Sequence, residues 1–326
     1  MHPVEWLCEL AGTALLLLGG LSAVCLDFGP HTPLAALPGS PRLLITGLLF
    51  AGTGSLLAIS PLGRRSGAHL NPVVTLAFFT QGKVHPHDLA GYIAAQLTGA
   101  VLGTAVLRLL WGREATAVHL GATAPGHGLS RPQAALVEAG MTAALVLVVL
   151  LMTSSTRTAR WTPLLLWPVI AALVWQGAPY TGTGLNPARS LGPALLAPLL
   201  GPYWVYAAGP LLGGALAVGA FALLRDRHVL TAKLPGRITA GLAALGEAAA
   251  AGTTHGSSLD HRRPAGRTTS LGALMVTRPA QTRSTQATRR PGFTGSTSMC
   301  NIRDVVIPRS PSTNTSARHA LPRRPT

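Results

Sequence analysis

The sequence predicts an all-α membrane protein with six membrane-spanning helices and two re-entrant half-helices, arranged as an inverted repeat. Composition is the first reason: of 326 residues, 48% are hydrophobic and only 11% are charged. The apolar residues fall in blocks of about 20, the length at which a helix crosses a bilayer. The second reason is a duplicated motif, "SGAHLNPVV" at 66–74 and "TGTGLNPAR" at 181–189, which interrupts the apolar pattern where lipid is expected.

Six apolar blocks are predicted to span the membrane, at residues 5–26, 43–59, 88–111, 132–152, 163–175 and 204–224. Two further apolar stretches, 72–79 and 187–200, are too short to span. The first block carries Glu9 and is longer than the apolar region of a signal peptide, so we expect it to be a retained helix.

Basic residues at the block ends predict the orientation. If the N-terminus is cytoplasmic, seven of them fall on the cytoplasmic side: Arg64, Arg65, Lys83, Arg157, Arg160, Arg225 and Arg227. The loops on the other side carry a weaker positive excess. The positive-inside rule therefore predicts a multi-pass protein of the plasma membrane with both termini in the cytoplasm.

A change in composition predicts two regions. We expect residues 1–228 to form a transmembrane domain, with repeats at about 1–112 and 130–228, and residues 229–326 to form a basic tail. From 251 to the end there are 12 arginines and 2 aspartates, a net charge of +10 out of +16 for the chain. Because this tail has no apolar periodicity, we expect it to be disordered. Its positive charge predicts contact with anionic lipid, and the alternative is an extension without function. Phe293 is the tail's single aromatic residue, so nucleic acid is not an expected partner.

The duplicated motif predicts a pore. Asn71 and Asn186 lie 115 positions apart, with three spans before the midpoint and three after it, so the two halves enter the membrane in opposite orientations. Each asparagine is expected to cap a half-helix that begins at the following proline. Two helix N-termini would then meet at the midplane, where their partial positive charge repels cations and their amides donate hydrogen bonds to a neutral solute.

An ion-coupled secondary transporter with broken helices is a less favoured alternative. Such a carrier needs a titratable group beside its substrate, and Glu9 and Glu138 occupy matching places in the first helix of each half. We expect both carboxylates to accept hydrogen bonds from a re-entrant loop, with a proton relay as the alternative. An enzyme is excluded, because there is no nucleophile triad, no glycine loop beside a lysine and no paired acid and base.

The motifs "SGAHLNP" and "TGTGLNPARSLGPAL", with "AAQLTGAVLGT" and "WVYAAGPLLGGALA", resemble the aquaporin or major intrinsic protein family over residues 5–224. The resemblance implies a homotetramer with one pore per subunit, and Arg189 as the cation-excluding arginine. It also implies that the paired pore motifs are Asn71, Pro72, Val73 and Asn186, Pro187, Ala188. Val73 departs from the family's alanine, at a position expected to pack behind the asparagine.

By the same resemblance, pore-lining backbone carbonyls belong to two loops, at Gly67, Ala68 and His69 and at Gly182, Thr183 and Gly184. The His69 imidazole has no partner at metal-ligand spacing, so its carbonyl is the expected functional group and neither a metal nor a cofactor is expected.

Counting from the motifs gives four positions for the selectivity filter: Ala51, Val174, Thr183 and Arg189. A slip of one residue would replace Ala51 by Phe50 and narrow the ring. Without slippage the filter resembles plant metalloid-conducting members and their bacterial relatives, and the Ala, Gly, Pro and Arg content is typical of a bacterial source. We expect a passive channel for water and small neutral solutes such as glycerol, urea, boric acid or arsenous acid. Ser190, placed as in water channels, supports a water-selective aquaporin as the alternative.

Overall fold

The computed structural model describes residues 2–126, 128–224 and 228–233. Most of the predicted basic tail lies outside the described residues. The described chain is helical, and six of its helices are long and apolar enough to cross a membrane, which confirms the predicted fold class. These spans are α1 (Pro3–Phe28), α2 (Gly39–Ile59), α5 (Pro86–Ala117), α6 (Arg131–Thr153), α8 (Thr162–Thr181) and α10 (Tyr203–Ala222).

Two short apolar helices lie between the spans, at the places that the sequence predicted. The half-helix α4 covers Pro72–Thr80, and α9 covers Pro187–Leu196. Two single-turn or near single-turn helices complete the set, α3 (Pro61–Ser66) and α7 (Thr156–Ala159). The connections also contain 3-10 turns at Pro33–Ala36 and His119–Gly121.

Several predicted boundaries need correction. The span predicted at 88–111 runs over Pro86–Ala117, and the span predicted at 43–59 begins at Gly39. The span predicted at 163–175 continues to Thr181, because Gln176 and Gly177 lower the local hydropathy without interrupting the helix. The stretch predicted at 187–200 ends at Leu196, two residues before Pro198, a residue type that disfavours helix in the position before it. The last span ends at Ala222, short of the predicted 224.

Glycines allow the spans to approach closely within each half of the molecule. Gly99 and Gly103 of α5 lie against the backbone of α1, and Gly209 and Gly213 of α10 lie against the backbone of α6. At each of these glycines a Cβ atom would collide with a carbonyl oxygen of the facing helix. The same packing device therefore joins the matching helices of both halves, as is usual for helices in membranes.

The spans define two faces of the protein. We call the face on which α1 begins the terminal face and the other the opposite face. The half-helix α4 runs from the centre back towards the terminal face, whereas α9 runs towards the opposite face, as an inverted repeat requires.

The packed chain extends past position 228, where the sequence analysis placed the end of the transmembrane domain. Val229 is 2% exposed and packs in an apolar cluster with Val149 and Phe221. The amide of Leu230 donates a hydrogen bond to the carbonyl oxygen of Thr153 at the end of α6, over 3.1 Å. Composition does not reveal this packing, because the apolar residues Val229 and Leu230 come directly after a basic stretch.

Candidate functional site: a membrane-spanning cavity

A cavity of about 360 Å³ lies between the helices. Phe28, the last residue of α1 at the opposite face, and Thr153, the last residue of α6 at the terminal face, both line it. Asn71 and Asn186 also line it, between these two ends. The cavity therefore runs along the direction in which the helices cross the membrane, and both predicted asparagines face it.

The two loops that precede the half-helices share an unusual backbone. Residues at three matching positions have left-handed φ angles: Gly67 (98°), Ala68 (50°) and Leu70 (49°) in one loop, and Gly182 (73°), Thr183 (52°) and Leu185 (57°) in the other. This conformation costs about 1–2 kcal/mol for a residue with a side chain. Because both loops adopt it at the same 115-residue offset, it belongs to the duplicated site.

Two buried carboxylates stabilise this backbone. Glu9 accepts hydrogen bonds from the amides of His69 (3.0 Å) and Leu70 (2.7 Å). Glu138 accepts from the amides of Gly184 and Leu185, both over 2.8 Å. Both carboxylates are 0% exposed. With its amides directed to a carboxylate, each loop is left with carbonyl oxygens to face the cavity.

The predicted carbonyl-bearing residues all line the cavity, in two groups: Gly67, Ala68 and His69, and Gly182, Thr183 and Gly184. They lie on either side of the asparagine pair. The His69 side chain, for which the sequence showed no metal partner, has hydrogen-bond partners in the Thr75 hydroxyl and the carbonyl oxygen of Ala232.

Several further residues, which were not predicted from the sequence, support the loops. Gln96 donates to Glu9 over 2.7 Å, and the Thr181 hydroxyl donates to Glu138 over 2.6 Å. Tyr92 and Tyr206 donate to the carbonyl oxygens of Ser66 and Thr181, the last helical residues before the two loops, each over 2.7 Å. The tyrosines could have been found, because they lie 114 positions apart in matching spans, almost the spacing of the asparagines.

Each asparagine caps its half-helix and also bonds to the other half of the repeat. Asn71 Oδ1 accepts from the amide of Val73 and Asn186 Oδ1 accepts from the amide of Ala188, both over 2.9 Å. Asn71 Nδ2 donates to the carbonyl oxygen of Leu185 (3.0 Å). The matching bond from Asn186 Nδ2 to the Leu70 carbonyl oxygen is 2.7 Å long.

The residues that follow each asparagine are buried and lie off the cavity. Pro72 and Pro187 occupy the first position of their half-helices, where the missing N–H leaves no unpaired donor. Val73, 2% exposed, lies against Gly214 of α10, where a Cβ atom would collide with the Val73 Cγ1 atom. The absent side chain of Gly214 thus provides the space for valine in place of alanine.

The four predicted filter residues all line the cavity: Ala51, Val174, Thr183 and Arg189. Arg189 is 7% exposed, and its Nη1 atom donates to the carbonyl oxygen of Gly121 over 2.8 Å. Gly121 lies in the connection between α5 and α6 and was not predicted. This bond fixes the guanidinium at the cavity wall.

Phe50 also lines the cavity, next to Ala51. Its ring centroid is 5.6 Å from Cζ of Arg189, and its ring lies against Gly20 of α1, which lacks a side chain there. The structure is therefore compatible with both alternatives for this filter position, Ala51 and Phe50, because both residues line the cavity.

Curated relatives include plant and animal proteins. Probable aquaporin TIP4-2 of Oryza sativa subsp. japonica is 41% identical over 162 residues, which is 49% of this chain and 62% of that protein, so the match spans less than two thirds of its length. Aquaporin NIP1-1 of Zea mays is 31% identical over 220 residues, 67% of this chain and 74% of that protein. Lens fiber major intrinsic protein of Gallus gallus is 35% identical over 222 residues, covering 67% and 79%.

Among solved structures, the X-ray structure of the aquaglyceroporin from Plasmodium falciparum aligns with a TM-score of 0.58 over 69% of this chain and 98% of that chain. At 22% sequence identity this likeness shows the fold alone. A family model described as major intrinsic protein matches residues 4–221, more than half of the sequence. The chain therefore belongs to the major intrinsic protein family, whose members are passive channels and not enzymes.

Proposed function

We propose that the protein is a passive channel for water and small uncharged solutes that excludes ions and protons. The observation that carries the proposal is the asparagine pair, which is built into a cavity that runs between the two faces. The N-termini of α4 and α9 meet there, and each contributes partial positive charge and an oriented amide. A neutral oxygen is stabilised at such a centre, whereas a cation is repelled.

Arg189 supports ion exclusion at a second level of the cavity. It is a fixed cation, held by the Gly121 carbonyl oxygen on the wall. A charge buried at membrane depth is costly and marks a functional position. We infer that it repels cations and donates hydrogen bonds to a passing hydroxyl or water.

Coupled transport is less well supported than passive flux. Glu9 and Glu138 are fully buried, lie off the cavity and accept loop amides. A coupling carboxylate would have to exchange protons or ions with the solute path, from which these two groups are removed.

The other three predicted filter residues favour a permissive filter. Ala51 and Thr183 are small, and Val174 is aliphatic and suits the carbon face of a polyol. We therefore propose that glycerol, urea, boric acid or arsenous acid pass along with water. A water-selective channel is the second candidate, and one observation favours it: the Phe50 ring lies on the same wall beside Arg189.

We propose a plasma-membrane location with the terminal face in the cytoplasm. Arg64 and Arg65 lie at the end of α3 and Arg157 lies in α7, and both of these helices are on the terminal face. This is the distribution expected for a cytoplasmic side. A homotetramer within the lipid bilayer is proposed from the family membership. A bacterial origin stays a prediction from composition.

Stopped-flow light scattering of proteoliposomes tests the solute proposal. Vesicles exposed to excess external glycerol, urea or boric acid should shrink and then reswell, while vesicles in an impermeant sugar should remain shrunken. Empty liposomes of the same lipid give the background. Water flux without reswelling in any of these solutes would replace the permissive channel by the water-selective one.

A further inference from the structure

We propose that residues 228–233, here called the strap, form an autoinhibitory contact that closes the terminal-face mouth of the channel and raises its permeability on release. The proposal rests on the proposed channel function. The strap follows the last span, and its residue Ala232 lines the same cavity as the asparagine pair.

One end of the strap is firmly anchored. Val229 is 2% exposed among apolar side chains of α4, α6 and α10, and the Leu230 amide donates to the Thr153 carbonyl oxygen over 3.1 Å. Burial of an apolar side chain and a satisfied backbone hydrogen bond fix this end against the ends of the helices.

The middle of the strap contacts the re-entrant loop. His69 Nε2 lies 3.2 Å from the carbonyl oxygen of Ala232. Because a carbonyl oxygen only accepts, Nε2 donates this hydrogen bond, and Nδ1 lies 3.2 Å from the Thr75 hydroxyl. Gly67 admits this contact, since a Cβ atom there would collide with the Ala232 carbonyl oxygen. The strap thus covers two residues whose carbonyls were assigned to the pore.

The far end of the strap is held by one accessible ion pair. Lys233 Nζ lies 2.7 Å from Glu5 Oε1, with side-chain exposures of 45% and 16%. The other carboxylate oxygen of Glu5 lies 3.2 Å from the Tyr92 hydroxyl. An ion pair this exposed is weak, so a change of charge shifts the closed-to-open equilibrium by about two- to fivefold.

The anchored end and the weakly held far end together describe a hinged cover. When the Lys233–Glu5 pair opens, Ala232 can leave the cavity wall while Val229 stays buried. The position of the strap requires no change in the asparagine pair or in the filter, so release should alter permeability without altering solute preference.

A charge swap in the full-length protein tests the strap. In Lys233→Glu two carboxylates face each other, and water permeability per channel should rise about two- to fivefold. In Glu5→Lys with Lys233→Glu the pair is restored in reverse, and permeability should return to the original value. Lys83→Glu, which changes an exposed lysine on the terminal face by the same charge, should have no effect. A rise that the swap fails to reverse overturns the proposal.

Thiol accessibility gives a second readout that does not depend on transport. Leu145→Cys places a thiol on the cavity wall about two turns from the end of α6 and outside the cluster that buries Val229, in a background without Cys8, Cys25 and Cys300. A soluble methanethiosulfonate reagent should label it about two- to fivefold faster when Lys233→Glu is added. Equal labelling rates with and without Lys233→Glu overturn the strap proposal even if water flux is observed. Faster labelling in vesicles that show no water flux supports the strap and contradicts the channel function instead.

Discussion

Asn71 and Asn186 each donate a hydrogen bond to the loop that carries the other asparagine, to the carbonyl oxygens of Leu185 and Leu70 respectively. A carboxamide nitrogen has two N–H groups, so one remains on each asparagine. The oxygens already accept from the backbone of their own half-helices. Both amides are therefore held at two points, and their remaining N–H groups are available to a solute at one level of the cavity.

Replacing Glu138 by Gln tests passive transport. The glutamine amide puts a donor where two loop amides and the Thr181 hydroxyl now donate, so the variant should be destabilised by about 1–3 kcal/mol and conduct less water. Thermal unfolding and vesicle swelling measure the two effects. Glu114→Gln, at a carboxylate paired with the exposed His31, is the matched control. Proton-driven uphill uptake that this change abolishes in a normally folded protein would establish coupled transport.

Replacing Arg189 by Val tests ion exclusion. Removal of a fixed charge from a low-dielectric constriction lowers the barrier to cations, so the variant should keep its water flux and admit protons or sodium. A pH-sensitive dye inside the vesicles measures proton entry under an imposed gradient. Arg189→Lys keeps the positive charge but loses the planar set of guanidinium N–H donors. It is the control and should still exclude ions. If the valine variant excludes ions as effectively as the native protein does, the asparagine pair alone is sufficient for ion exclusion.

The width of the filter is tested by adding bulk. Ala51→Phe with Val174→His should strongly reduce glycerol and boric acid flux while water flux persists, because both positions line the same cavity as Arg189. Reswelling after a glycerol shock measures this directly. Phe50→Ala is the reciprocal variant. A native channel that passes no glycerol, and gains glycerol flux in Phe50→Ala, would assign the narrow wall to Phe50 and favour the water-selective channel.

The stability of the protein with valine at position 73 should depend on the absence of a side chain at Gly214. In Gly214→Ala the new methyl group collides with Val73, and overpacking of this kind costs about 1–3 kcal/mol. Val73→Ala alone should cost about 1–3 kcal/mol through the cavity that it leaves, but it should relieve the collision in Gly214→Ala, so a double-mutant cycle on thermal unfolding will show favourable coupling. Gly219→Ala in the same helix is the control, since nothing lies within 4 Å of a Cβ atom there. Additive effects of the two substitutions would contradict the contact.

The spans, to within a few residues at their ends, the inverted repeat, the capped half-helices and the carboxylates Glu9 and Glu138 could be predicted from the sequence alone. Helix length, hydropathy and capping are local properties, and a duplication repeats them at one fixed spacing. Tertiary structure decided what packing brings together from distant positions: Gly121 behind Arg189, Phe50 beside it and Gln96 on Glu9. It was also needed to show that Val229 is packed, because the burial of this residue depends on a surface formed by three helices. No local pattern in a basic, turn-rich segment contains that information.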